Sequence, residues 1–385
     1  MQIVPVRLPA HKTNYDIKVK GGLISEAGEH LRAVLGTGAR RAAVISNRKV
    51  FDLFGDTLVR ALRSNDLEVA VWLMKDGERH KSLKSFEQAI TFLGKSGLER
   101  NDVVIALGGG VAGDLAGFAA ATYLRGIAFI QIPTTLLAQI DSSVGGKVGV
   151  NTPGGKNLVG VFHQPRLVLI DLDTLRTLPR RELTAGWCEA VKQGAVGDRK
   201  LFERTIRVLP ASGTDFSVWS KTEAAQTEVG ATIAAHCRFK AAIVAGDERE
   251  SISRLDGRSR KILNFGHTAA HALEAVTSYR RFRHGEAVGY GMLVAGELSK
   301  NLGTLTADAL ESLRQAVRAC GQLPAANDIE INQIIAAMKS DKKSIAGSVK
   351  WILLERIGKA RVVDGREIKM QILRQALRDG LQPLR

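Results

Sequence analysis

Short apolar runs rich in β-branched residues recur through the first half of the chain, at 41–46, 68–73, 102–107, 128–132 and 167–170, each long enough for one strand. Between them, 50–63 and 82–94 place apolar residues three and four apart, the spacing of one buried helix face. Strand, helix and strand in alternation predict a parallel sheet covered by helices, the plan of a nucleotide-binding domain. After Leu178 and Pro179 the spacing changes. The segments 181–195, 222–244, 268–277, 286–302, 307–320 and 331–338 predict helices, and 349–354 predicts a strand with 360–363 as its pairing candidate. The change of texture divides the chain into an α/β domain with a parallel sheet, 1–179, and a mainly α-helical domain, 180–385. Segment 211–217 predicts a loop, and no internal repeat or low-complexity tract appears.

At about 100 to 200 residues per domain, 385 residues allow two domains or roughly three. Hydrophobic residues at 45% and charged residues at 24% exclude wholesale disorder and fibrous repeats. Cys188, Cys237 and Cys320 form no CxxC pair, which argues against a disulfide framework or thiolate zinc site and for a reducing compartment. Residues 1–10 lack the basic, apolar and small-residue order of an export signal, and the most apolar window, 117–140, is interrupted by Arg125 and Pro133. The expectation is a cytoplasmic protein with no membrane partner. A net charge of +16 raises nucleic acid, an anionic membrane or an anionic small molecule as partners. The basic residues are dispersed and aromatics make up only 5%, so base-stacking platforms are scarce, and no nucleic-acid module appears. A basic solvated surface would account for the charge without any partner.

Candidate chemistry begins where the strand 102–107 runs into Gly108, Gly109 and Gly110 and then into a helix with Gly113 and Asp114. Glycines let the backbone approach a pyrophosphate, and a helix N-terminus offers unpaired N–H donors and a positive dipole end. The spacing is not a strict GxGxxG, so a tight strand-to-helix turn explains the triplet equally well. The stretch 133–157 holds Asp141, two glycine pairs, Lys147 and Lys156. Such a run makes a poor core; it suits a cleft where amides and ammonium groups meet a phosphorylated or carboxylated ligand, or a surface loop. Three candidate metal ligands, Glu189, His267 and His284, lie far apart. Two imidazoles and a carboxylate suit catalytic Zn²⁺ with an open position, and Fe²⁺ or Co²⁺ fit the same donors. His267 and His271, four apart on one predicted helix face, compete as a ligand pair, while a packed or hydrogen-bonded histidine without metal is the commoner case.

Together these runs resemble the 3-dehydroquinate synthase family of sugar phosphate cyclases. The likeness extends from Asn47 to Gly358 and is carried by Asp76-Gly-Glu-Arg-His-Lys81, Gly108-Gly-Gly-Val-Ala-Gly-Asp114, Pro133-Thr-Thr-Leu-Leu, Asp141-Ser-Ser-Val-Gly-Gly-Lys147, Gly155-Lys-Asn157, Leu178-Pro-Arg-Arg-Glu182, Leu263-Asn-Phe-Gly-His-Thr268, His284-Gly-Glu286 and Asp341-Lys-Lys343. The resemblance implies a Rossmann-like, NAD-binding N-terminal domain, a helical metal- and substrate-binding C-terminal domain, a homodimer, bound NAD⁺ and one divalent metal, Zn²⁺ or Co²⁺. It implies Glu189, His267 and His284 as the metal ligands. For the cofactor it implies Asn47, Asp76, Glu78, Lys81, Gly110, Val111, Gly113, Asp114, Thr134, Thr135, Lys147, Lys156, Thr174 and Thr177. For the substrate it implies Asp141, Lys147, Asn157, Lys192, Lys240, Arg260, Asn264, His271 and Lys342, with Arg125 reaching in from the other subunit.

The activity implied is a phosphate-eliminating lyase of the shikimate pathway, which leads to the aromatic amino acids. It turns 3-deoxy-D-arabino-heptulosonate 7-phosphate into 3-dehydroquinate through transient oxidation by NAD⁺, phosphate elimination, re-reduction and intramolecular aldol closure. Two departures stand out. The segment joining Glu250 to Arg260 is longer than the family pattern, and Ala269 and Ala270 replace a bulkier or glycine-containing pair with residues that suit the same helix. A related cyclase acting on sedoheptulose 7-phosphate or glucose 6-phosphate would share fold, NAD⁺ and metal, but Arg260, Asn264, His271 and Lys342 take the dehydroquinate synthase form. A metal-dependent polyol dehydrogenase on the same two-domain plan needs no phosphate or carboxylate clamp, so the cationic residues in these motifs argue against it.

Overall fold

A computed structural model of the chain describes residues 14–209, 222–251, 253–254, 256–340 and 350–383. The expected loop 211–217, the start of the strand at Val349, and Lys342 lie outside the described residues. The chain enters on strand β1 (Asp16–Lys20) and helix α1 (Ala27–Leu35). Then β2 (Arg41–Asn47), α2 (Arg48–Arg63), β3 (Glu68–Met74), α3 (Leu83–Lys95), β4 (Val103–Gly108), α4 (Gly110–Thr122) and β5 (Ala128–Pro133) alternate. A hairpin of β6 (Lys147–Thr152) and β7 (Gly155–Phe162) precedes β8 (Leu167–Asp171). Six strands pair in parallel in the order β1-β8-β5-β4-β2-β3, while β6 and β7 pair antiparallel with each other.

Strand β2 pairs with β3 on one side and β4 on the other, so the chain reverses its direction across the sheet there. Helices α1 and α2 pack on one face, α3 and α4 on the other. At such a reversal the helices that leave adjacent strands diverge to opposite faces and open a crevice beyond the strands' carboxyl ends. That crevice receives Asn47 from β2 and the glycine turn from β4.

The helical half follows with α5 (Arg180–Gly197), α6 (Arg199–Val208), α7 (Glu223–Gly246), α8 (His267–Val276), α9 (His284–Asn301), α10 (Ala307–Ala319) and α11 (Ile331–Ser340). An antiparallel hairpin, β9 (Lys350–Arg356) and β10 (Lys359–Asp364), and α12 (Met370–Gly380) complete it. One apolar core runs from Val168 and Ile170 on β8 through Trp187 and Val191 on α5 to Leu293 on α9 and Leu353 on β9, so sheet and helices share an interior. Helix α9 is buried on every side from Gly285 to Ser299, as expected of a helix without a charged face. Its approach to its neighbours depends on missing side chains. A Cβ on Gly285 would lie 1.9 Å from the Ala185 carbonyl oxygen of α5, and one on Gly291 would lie 2.0 Å from the Gly266 carbonyl oxygen just before α8.

The pattern reading omits β1, α1, the β6–β7 hairpin, α6 and α12. Strand β4 starts at Val103 instead of residue 102 because Asp102 turns its carboxylate back on the chain. Its Oδ1 accepts the Arg40 and Arg41 N–H groups at 2.9 and 2.8 Å, and its Oδ2 accepts that of Glu99 at 2.7 Å. Asp102→Ala therefore leaves three backbone donors unpaired, and urea unfolding should show a loss of about 3 kcal/mol. Gly285→Ala should cost about 3 kcal/mol or more, because the new methyl meets backbone that has no rotamer with which to yield. Gly94→Ala on α3, where nothing lies within 4 Å, should be neutral or stabilising in the same assay.

Candidate active site

At the sheet crevice, Asn47 caps α2, its Oδ1 accepting the Val50 N–H at 2.9 Å while its Nδ2 donates to Asp76 Oδ1 at 3.2 Å. Gly110, Val111, Gly113 and Asp114 lie in the first turns of α4, whose leading N–H groups have no partner within the helix. The Thr134 N–H donates to the Gly108 carbonyl at 3.0 Å, and the buried Thr134 hydroxyl has no hydrogen-bond partner. Thr135 Oγ1 accepts the Ala138 N–H at 3.2 Å. On the rim, Lys81 Nζ lies 2.8 Å from Asp114 and 3.4 Å from Glu78, which also accepts from Asn151 at 2.8 Å. Burial would lower the Lys81 pKa, but the two carboxylates outweigh it and hold the ammonium above its ordinary value. A glycine turn, a helix N-terminus and an unpartnered buried hydroxyl together accommodate a dinucleotide pyrophosphate. Thr174 faces inward: its hydroxyl donates to the Asp171 carbonyl at 2.7 Å and accepts from Gln139 at 3.0 Å. Thr177 reaches only the Thr174 carbonyl, at 3.4 Å.

The close packing of α5, α8 and α9 gathers His267, His271 and His284, whose potential ligand atoms all lie within 4.8 Å of one another. His267 Nδ1 lies 3.3 Å from the Phe265 carbonyl oxygen and His284 Nδ1 lies 3.2 Å from Glu274 Oε2. Each contact fixes Nδ1 as the protonated nitrogen and leaves Nε2 for the cluster, the arrangement by which outer partners orient metal-binding histidines. Burial would lower the His284 pKa, but Glu274 and then Glu189 raise it. Burial would raise the Glu274 carboxyl, but His284 and then Lys156 hold it down to about 2. Glu189 is wholly buried; one carboxylate oxygen is paired with Lys192, and the other has no hydrogen-bond partner and lies 3.6 Å from His284 Nε2. A buried carboxylate oxygen without a hydrogen bond, facing one imidazole of a three-histidine cluster, fits a divalent cation.

A cationic wall adjoins this cluster. Asp141 Oδ1 pairs with Lys240 Nζ at 2.5 Å, and its Oδ2 lies 4.0 Å from Lys192. Burial would raise the Asp141 carboxyl; Lys240 and Lys192 outweigh it and hold it far below the usual carboxylate range. Arg260 is buried, with Nη1 on the Glu248 carbonyl at 2.8 Å and Nη2 on the Gly145 carbonyl at 3.1 Å. Lys147 is ion-paired with Glu250, which also accepts from Asn264 Nδ2 at 3.4 Å. Asn157 is exposed on the same hairpin, its N–H donating to Asn151 Oδ1 at 2.9 Å, and Asn151 lies some 13 Å along the strand from Lys147 at about 3.3 Å per residue. Lys156 spans from the hairpin to α8, 3.0 Å from Glu274 and 4.4 Å from the centre of the Tyr279 ring. Ser142, next to Asp141, sits 3.0 Å from where a Gly110 Cβ would be, so the crevice and the wall are contiguous.

Arg125 stands apart. It is exposed in the turn after α4, at φ +69°, and so lies about 20 Å from Gly110 at ~1.5 Å per helical residue. Sequence reasoning omitted Glu250 and Glu274. Glu274 had a signal: it lies seven residues after His267 and three after His271, on one helical face. Glu250 had less, since its contact depends on a backbone at φ +53°.

No described helix is long and apolar enough to cross a membrane. The family profile described as 3-dehydroquinate synthase N-terminal matches residues 71–185, and that described as 3-dehydroquinate synthase C-terminal matches 186–344. The 3-dehydroquinate synthase of Rippkaea orientalis is 41% identical over 381 residues, covering 97% of this chain and 98% of the relative. That of Gloeobacter violaceus is 42% identical over 376 residues, with coverage of 97% and 98%. Among solved structures, the 2-epi-5-epi-valiolone synthase ValA of Streptomyces hygroscopicus subsp. jinggangensis, with NAD⁺ and Zn²⁺ bound, superposes with a TM-score of 0.82 at 26% identity, covering 97% of this chain and 98% of that one. Matched by both profiles and by full-length relatives, the chain belongs to the 3-dehydroquinate synthase family.

Proposed function

We propose that the chain converts 3-deoxy-D-arabino-heptulosonate 7-phosphate into 3-dehydroquinate and phosphate. The observation that carries this reading is a buried carboxylate beside a cluster of three imidazoles, together with two cationic groups, Lys192 and Lys240 about Asp141 and Lys147 with Asn264 about Glu250. Oxidation of a polyol needs no such pair of anion grips. A substrate with a carboxylate at one end and a phosphate at the other does. When bound, NAD⁺ accepts and returns a hydride at the substrate's C5 and a divalent cation, Zn²⁺ or Co²⁺, acidifies the C4 and C5 hydroxyls.

Glu189, His267 and His284 would hold that cation, with Phe265 and Glu274 orienting the rings. Asn47, Asp76, Glu78, Lys81, the α4 N-terminus and Thr134 line the dinucleotide groove. Asp141 with Lys192 and Lys240 receives hydroxyls and carboxylate, and Arg260, whose Nη1 and Nη2 each give one N–H to a backbone carbonyl, has its remaining N–H donors for the carboxylate. Lys147, Asn264 and His271 receive the phosphate, which requires Glu250 to give up Lys147 and Asn264, while Asn157, beside Asn151 further along the hairpin, joins the phosphate set on resemblance alone. These donors grip the departing phosphate dianion more strongly than the ester it leaves, and that difference lowers the elimination barrier. Lys342 joins the substrate set on resemblance alone.

Residues 1–179 form the NAD-binding domain and 180–385 the metal- and substrate-binding domain in this reading. Arg125, far from its own glycine turn, serves the site of a second copy in a homodimer. The protein acts in the cytoplasm.

Purified protein mixed with NAD⁺, Zn²⁺ or Co²⁺ and the heptulosonate phosphate should release phosphate and yield 3-dehydroquinate. Faster turnover of sedoheptulose 7-phosphate, which has no carboxylate, would favour the related cyclase instead. His267→Ala should lose both bound metal and turnover, read by metal analysis alongside the assay. Lys147→Ala should keep its metal and lose about 100-fold in kcat/KM, roughly 2.7 kcal/mol of transition-state stabilisation.

A further inference from the structure

Asp141 sits on a π-helical turn, Ala138–Ser142. The wider turn releases carbonyls from the regular ladder. Side chains from α5 and α7 take them up. Cys237 Sγ donates to the Gln139 carbonyl at 3.3 Å, Gln193 Nε2 to that of Ile140 at 3.0 Å, and Lys240 Nζ to that of Asp141 at 2.6 Å. Gln193 Nε2 also lies 3.3 Å from Asp141 Oδ1, so both amide hydrogens face groups that only accept. Turned over, the amide would set its oxygen against a carbonyl and a carboxylate. Its Oε1 is therefore directed at α7, where His236 Nδ1 lies 3.1 Å away. An oxygen only accepts, so Nδ1 carries the ring proton. Nε2 is left as an acceptor 3.0 Å from the Thr205 hydroxyl, whose one hydrogen it shares with the Leu201 carbonyl at 2.7 Å. Gln193, His236 and Thr205 have no exposed surface, and burial holds the His236 pKa down to about 3, so the ring is neutral.

We propose that Thr205, His236 and Gln193 form a positioning relay that sets the rotamer of Asp141 and, through it, the direction of the Lys240 ammonium. The relay rests on the cyclase reading, in which that carboxylate and ammonium face the substrate. Two lysines alone do not fix Asp141, because Coulomb attraction depends on distance and not on lone-pair direction. The Gln193 amide supplies direction. His236 keeps the amide from turning, and it does so through one N–H at one ring position. A histidine that served only to fill space would not depend on that position.

Two substitutions separate the cases. His236→Asn places an amide N–H where Nδ1–H was, whereas His236→Gln places its polar group near the Nε2 position. The asparagine variant should stay within threefold of wild-type kcat/KM for the sugar phosphate, and the glutamine variant should lose tenfold or more, with metal content and NAD⁺ affinity unchanged in both. Gln193→Leu should lose at least as much, and adding His236→Gln to it should cost nothing further, because the histidine acts through the glutamine. Without any substrate, ¹⁵N spectra of ring-labelled wild-type protein should show His236 protonated at Nδ1, and Gln193→Leu should mix the tautomers. That spectrum decides the relay geometry even if a variant fails to fold or the cyclase reading fails. Equal activities of the asparagine and glutamine variants, additive losses in the double mutant, or an Nε2-protonated His236 would overturn the proposal.

Discussion

Burial of the Glu189 carboxylate is the constraint around which the helical half is arranged. An ionised carboxylate without water costs several kcal/mol unless other charges replace its hydration. Lys192, one helical turn further along α5, supplies the first replacement, and Asp141 and Lys240 extend the pattern so that opposite charges alternate inward from α5. Even so, the Glu189 oxygen turned toward His284 has no hydrogen bond, and His284 Nε2 lies 3.6 Å from it. A cation bound there would supply what the protein leaves out. The packing at Gly285 and Gly291 matters for the same reason: a helix pair even one methyl further apart would leave the carboxylate and rings unable to share an ion.

The sheet contributes by topology. Reversal at β2 places two divergent helix N-termini over one crevice, and the β4 glycine turn borders the Asp141 turn through Ser142. Because one apolar core continues from β8 into α5, the sheet at β8 and the helices around the imidazole cluster are held in one packed interior. Lys156 adds a polar link, tying the β6–β7 hairpin to Glu274 behind His284.

What could be read in the sequence follows from how local each signal is. The buried parallel strands and long helices declare themselves by periodicity, and the glycine turn and histidines by residue type. β1 escapes because it is short and half exposed, and the β6–β7 hairpin because its glycines, asparagines and lysines carry the texture of a loop. Helix α6 escapes despite a clear stripe of Leu201, Phe202, Thr205 and Val208, so there the signal was present and unread. The π turn under Asp141 and the left-handed Glu250 are set by tertiary contacts from α5, α7 and Lys147, which no window of neighbouring residues contains.

The same contacts bear on how a strongly charged ligand would be taken up. Lys147 rests against Glu250, Lys156 against Glu274, Lys192 against Glu189 and Lys240 against Asp141, so each lysine of the proposed site already has an internal carboxylate. A pocket of bare ammonium groups would repel its own members and shed their protons when buried. Pairing offsets that repulsion, and at Lys192 the two neighbouring carboxylates outweigh burial and hold the ammonium above its ordinary value. In the proposed reading an arriving phosphate would exchange with a carboxylate, and because one anion would replace another, the lysine would not be desolvated a second time. The exchange favours phosphate, whose extra charge and three acceptor oxygens can engage Lys147 and Asn264 together. A monoanionic carboxylate such as Glu250 is the weaker competitor, and its place on a strained backbone at φ +53° makes it the partner that yields.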